Sequence, residues 1–180
     1  MKNQNTKKLA YAALFLALCL VLPMLTGQIP QIGSMLLPMH IPVLLCGLVC
    51  GWQYGAAVGF VAPLLRSVLF GMPPMYPVAI AMAFEQLTYG LVIGLVYRRM
   101  AQKGAAGVYA ALLTAMVAGR LVWGVAEVVL LGLGGKAFTA QAFLAGALLN
   151  AVPGIIVQLV LIPAVMTALQ KAGAVKEYAE

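Results

Sequence analysis

Residues 81–90 read AMAFEQLTYG, a glutamate and a glutamine in the middle of an otherwise apolar run. A carboxylate at depth in a bilayer costs a few kcal/mol unless another group meets it. The reading of Glu85 therefore depends on what the rest of the chain brings to it. If the surrounding run spans a membrane, Glu85 marks the inside of a bundle.

Composition decides for the membrane. Of 180 residues, 64% are hydrophobic and only 8% charged, against roughly 25% charged in a soluble domain. Mean hydropathy is +1.03. No long polar stretch could fold as a separate soluble domain. The net charge of +7 does not point to nucleic acid, because no basic stripe continues along a face. Instead the cations sit at the ends of apolar runs, where they set topology. Cys19, Cys46 and Cys50 lie inside apolar runs and give no disulfide framework. The only histidine, His40, is not spaced from them as a zinc ligand. No metal site is expected.

A helix needs about 20 apolar residues to cross a bilayer. Six runs approach that length: 9–26, 35–50, 55–70, 78–97, 105–133 and 140–169. The N-terminal run is read as a retained span, since no clear cleavage site follows it. Trp52, Gln53 and Tyr54 are expected to form an interfacial turn. GMPPMYP (71–77) breaks the chain, because adjacent prolines cannot continue a helix. Pro153 is expected to kink the sixth span. The expected fold is an all-α integral membrane protein, a six-transmembrane-helix bundle forming a single domain, with both termini cytoplasmic. With the N-terminus inside, eight cations (Lys2, Lys7, Lys8, Arg98, Arg99, Lys103, Lys171, Lys176) fall inside and Lys136 alone outside. Met35, Met39, Met72 and Met75 gather toward the outer face. They suit either an adaptable lid or plain interfacial packing.

The intramembrane charges form the next pattern. There is no aspartate, and Glu177 and Glu180 belong to the tail, which leaves Glu85 and Glu127 inside spans together with Arg66 and Arg120. By helical rise, Arg66 and Glu127 lie about 6–9 Å below the outer ends of their spans, Glu85 about 10–12 Å and Arg120 about 20 Å. Asn150 comes out roughly 15 Å down the sixth span, and His40 sits near the outer end of the second. Arg120 and Glu127 are seven residues apart and share a face with Trp123 and Gly124, while Glu85 and Tyr89 are one turn apart. A polar pocket with aromatic walls is the usual chemistry of a small-molecule site. The plain alternative is internal Arg–Glu pairing that only fixes helix packing.

Catalysis finds little support. The chain has no GxSxG, no HExxH and no phosphate-binding glycine loop. Paired aspartates for magnesium are also missing, so it is not read as an enzyme. Small residues give the last pattern: glycines at 47, 51, 55 and 59, a Gly90/Gly94 pair, and Ala13 and Ala17 on the first span with Ala10 on an adjoining part of the face. Such faces let helices approach closely.

KKLAYAALFLAL (7–18), LLPMHIPVLLCGLVCGWQYGAAVGFVAPLLRSVLFGMPP (36–74) and AFEQLTYGLVIGLVYRR (83–99) carry a resemblance. The chain resembles the substrate-binding S components of energy-coupling factor (ECF) transporters, the prokaryotic vitamin importers. The resemblance implies tight binding of one vitamin or precursor from outside by the later helices and connecting loops. It further implies association with a transmembrane coupling subunit and two cytoplasmic ATPases, which use the ATP; no cofactor is expected in this chain. The first-helix face that meets the coupling subunit carries over to Ala13, Ala17 and Ala10. Glu85, Arg120, Glu127 and Asn150 then come from pocket-lining helices, with Arg66 near the lid and His40, Tyr89 and Trp123 as further candidates for ligand contact. Glu85 is expected to face the pocket, paired with Arg120 or with a ligand donor.

The arginines suit a carboxylate such as pantothenate. The glutamates suit an amine or ring donor, as in pyridoxamine, a pyrimidine or a deazapurine, and a cobalamin-type ligand also stays open. A rival reading is a stand-alone proton-coupled transporter that titrates Glu85 or Glu127. A third is a structural assembly subunit with no ligand at all.

Overall fold

The computed structural model describes residues 2–26, 35–100, 104–135, 137, 139–146 and 150–173, the first two without their side chains. The segment 27–34, Lys103, Lys136, Lys176, Glu177 and Glu180 lie outside the described residues. The described chain is helical throughout. Lipid leaves backbone N–H and C=O groups no partner but each other, which a helix satisfies along its own length.

Helix α1 is Lys2–Val21, followed by one 3-10 segment, Leu22–Thr26. Pro23 lacks the N–H that a further α turn needs. Helix α2, His40–Cys50, has 11 residues, about 16 Å of rise. That is too short to cross alone, and the expected span over 35–50 is shorter than read. Every α2 residue except Ile41 is buried, so neighbouring helices surround it. Helix α3 is Trp52–Phe70. The interfacial turn expected over Trp52–Tyr54 is instead helix, because one residue, Gly51 at φ 97°, makes the whole connection. That backbone conformation favours glycine.

A π-helical turn, Met75–Ala79, leads into α4, Ile80–Met100, and α5 runs Ala105–Leu133. The sixth expected run is divided into a short helix α6, Ala140–Leu144, and α7, Val152–Lys171. Pro153 does not kink this run. It lies in the first turn of α7, where its missing N–H costs nothing. The proline inside that helix is Pro163.

Among the described residues, five helices are thus long and apolar enough to cross a membrane: α1 with its extension, α3, α4 with its π turn, α5 and α7. The core gathers around α2 and α4, with Leu44, Leu48, Ile93, Leu112, Ile162 and Met166 fully enclosed. Glycines set the closest approach. A Cβ on Gly90 of α4 would lie 2.1 Å from the Gly55 carbonyl oxygen of α3, and one on Gly55 would lie 2.7 Å from Gly47 Cα of α2. The glycine array therefore works within the bundle, holding three helices nearly backbone to backbone. All three cysteines are free and buried. Of the four methionines read toward a lid, Met39 is in the core, whereas Met35 and Met75 are exposed.

Candidate functional site

Glu85 is 1% exposed, on the inner face of α4. Three helices meet its carboxylate. From α5, Arg120 Nη1 lies 2.9 Å from Oε1. From one turn further along α4, Tyr89 donates its hydroxyl to Oε1 at 3.2 Å. From the first residue of α2, His40 Nε2 approaches Oε2 at 3.5 Å. The His40 and Tyr89 rings meet edge to face at 5.2 Å. Gly119 makes room for this, since a Cβ there would fall 2.5 Å from the Tyr89 ring. A buried carboxylate persists only when paired and hydrogen-bonded, and here both conditions hold.

The cluster continues along α5. The Arg120 guanidinium carbon lies 5.9 Å from the Trp123 ring centroid, a cation–π distance. Trp123 in turn stacks on Phe143 of α6 at 6.0 Å and is a side-chain hydrogen-bond partner of Glu127. Gly124 and Gly146 admit these rings: a Cβ on either would fall within 3 Å of Phe143 or Trp123 respectively. Glu127 is itself buried, at 6% exposure.

Several buried polar atoms have no hydrogen-bond partner within the described protein: both His40 ring nitrogens, Arg120 Nη2, both amide atoms of Gln86, and Gln158 Nε2 on α7. Leaving such groups unmade costs about 1–3 kcal/mol each. Those on His40 and Arg120 belong to the Glu85 ion pair itself, which fits a place where another molecule supplies the missing partners.

For two of the expected site residues the structure shows contacts outside the Glu85 cluster. Arg66 is buried, but its Nη1 donates to the Leu20 carbonyl and its guanidinium sits 5.3 Å over Phe70. Leu20 is among the last four carbonyls of α1, which have no intrahelical donor, so Arg66 caps α1 and takes no part in the Glu85 cluster. Asn150 is exposed in the turn before α7, its backbone N–H donating to the Ala145 carbonyl at 2.9 Å. It lies between α6, Ala140–Leu144, and α7, Val152–Lys171, and within neither helix. The structure adds Phe143 to the site, and it buries Gln158 of α7 with its Nε2 unmatched. Gln158, the sole polar side chain within GIIVQLVLIP, carried the same signal in sequence as Glu85. Phe143 carried none.

An apolar groove of 410 Å³ lies elsewhere, on the outward side of α4 and α5, lined by Phe84, Leu121, Val122, Val125, Ala126, Val129 and Leu130. Its hydrocarbon lining suits lipid rather than a polar solute. Among the described residues no group of three or more His, Cys, Asp or Glu could hold a metal ion. On α1, Ala10, Ala13 and Ala17 are exposed among the described residues.

Fold and site together define a polytopic α-helical membrane protein that encloses an Arg–Glu–His cluster at the meeting of several helices. Residues 7–169 match the family described as the ECF transporter, substrate-specific component. The chain belongs to that family, whose members are subunits of membrane transporters. Neither a curated protein nor a solved structure matches it.

Proposed function

We propose that this chain is the membrane-embedded binding subunit for uptake of a vitamin or related small organic micronutrient. It captures the molecule from outside the cell and works with a transmembrane coupling subunit and two cytoplasmic ATPases that use the ATP. The observation that carries the reading is the Glu85 cluster. A carboxylate, a guanidinium and an imidazole converge from three helices, with donor and acceptor atoms still unmatched beside them. Pairing that only fixed the helices together would match those atoms as well.

The charge pattern supports six crossings with both ends cytoplasmic, the second made by α2 with residues preceding it. The exposed alanines of α1 support that helix as the docking face for the coupling subunit, since small residues permit close helix contact. Glu85, Arg120, His40 and Tyr89 form the centre of the binding site, with Trp123 and Glu127 along one wall.

The test is mass spectrometry of small molecules released from detergent-purified protein, with a Glu85→Ala, Arg120→Ala double variant as control. A stoichiometric compound present in the wild type and lost from the variant is expected. Empty wild-type preparations from cells grown in rich medium would overturn the proposal, and uptake in vesicles without ATPases, driven by a proton gradient, would favour a lone carrier.

A further inference from the structure

We infer that the ligand carries a cationic nitrogen group that pairs with Glu127. This rests on the binding-subunit reading above and narrows the substrate class of the same site.

The inference begins with charges. The buried cluster holds two carboxylates, Glu85 and Glu127, and one guanidinium, Arg120. Arg120 is already committed: its Nη1 meets Glu85 at 2.9 Å, and its face lies over Trp123. A protonated His40 would not change the balance at Glu127, because the carboxylate it faces at 3.5 Å is Glu85. Among the described residues no Lys, Arg or His nitrogen lies within ion-pair distance of Glu127. Its described partner is the neutral side chain of Trp123. A buried carboxylate with only a neutral donor keeps its charge only when a cation joins it, and otherwise takes up a proton.

Position supports the same conclusion. Arg120, Trp123 and Glu127 lie on one face of α5, so Glu127 continues the wall that begins at the Glu85–Arg120 pair. Phe143 closes over that wall from α6, and an aromatic wall attracts a cation through its ring faces as well. Arg120 Nη2 and His40 Nδ1, which have no hydrogen-bond partner within the described protein, remain to bind a neutral polar part of the same molecule.

The test uses the full-length chain in detergent and the compound it retains from cells grown in rich medium. Released material is separated by cation exchange at neutral pH and identified by mass, for the wild type, Glu127→Gln and Glu127→Asp. We expect a compound that is cationic at neutral pH, retained at least tenfold less by Glu127→Gln and largely restored in Glu127→Asp. A released compound that is neutral or purely anionic would overturn the inference while leaving the binding-subunit reading intact, as would equal retention by Glu127→Gln. An empty wild type would overturn the binding-subunit reading itself. Thermal unfolding of each variant reports its fold; if Glu127→Gln does not fold, the charge of the wild-type compound decides alone.

Discussion

Arg120 on α5 reaches across to Glu85 on α4 and holds its carboxylate at 2.9 Å, with both side chains largely shielded. This pair joins two of the most extensively packed helices of the bundle, and its Coulombic term is strong because little water is present to screen it. Removing one partner leaves a buried charge without its counterion. Glu85→Gln is therefore expected to destabilise the protein by about 3 kcal/mol. Glu85→Gln combined with Arg120→Gln should cost less than the sum of the two single changes, since no lone charge remains. A double-mutant cycle in thermal unfolding checks this, and strictly additive effects would show that the pair is not coupled.

Arg66 separates stability from binding. It caps α1 through the Leu20 carbonyl and sits over Phe70, away from the Glu85 cluster. Arg66→Ala should lower stability by about 2 kcal/mol, the scale of a hydrogen bond to a charged group. Retention of the co-purified compound should be unchanged. A loss of compound as large as that from Arg120→Ala would return Arg66 to the binding site.

Glycine positions give a sharp contrast within one residue type. A Cβ on Gly59 of α3 would lie 2.2 Å from the Gln86 carbonyl oxygen of α4. The obstacle is backbone, so the helices themselves must separate. Gly59→Ala and Gly90→Ala are each expected to cost about 1–3 kcal/mol, seen as a lower unfolding temperature and a smaller monodisperse yield. Gly132→Ala meets no atom within 4 Å and should be neutral or slightly stabilising, as alanine favours the helix. Equal behaviour of all three would contradict close packing of α3 on α4.

The exposed face of α1 predicts a variant that binds but does not transport. Ala13→Trp or Ala17→Trp places a large side chain at an exposed position, so stability and compound retention should match the wild type. Co-purification with the coupling subunit, and uptake into cells, should fall at least tenfold. Normal uptake by both variants would remove α1 from the docking surface.

The groups that carry chemistry were legible before any fold was in view, because an ionisable side chain in an apolar run is costly and therefore conspicuous. Glu85, Arg120, Glu127 and His40 all announced themselves that way, and helical spacing aligned Tyr89 with Glu85 and Trp123 with Arg120. What spacing could not supply was distance between helices. Arg66 and Arg120 look alike in sequence, yet one caps a helix end and the other meets Glu85. Asn150 differs for a related reason: a depth counted along one run assumes a single helix, whereas the structure has α6, Ala140–Leu144, and α7, Val152–Lys171.

The sequence by itself determined that this chain is helical and membrane-embedded, because 64% hydrophobic residues with so few charges leave the backbone no other way to satisfy its polar groups in lipid. It also determined which side chains had to turn inward. Only the tertiary structure decided which of them meet. That choice rests on the separation and rotation of neighbouring helices, fixed by backbone contacts such as Gly55 against Gly90 that no hydropathy pattern encodes. The same contacts enclose α2 among its neighbours and bring His40 to Glu85, although 45 positions separate them in the chain.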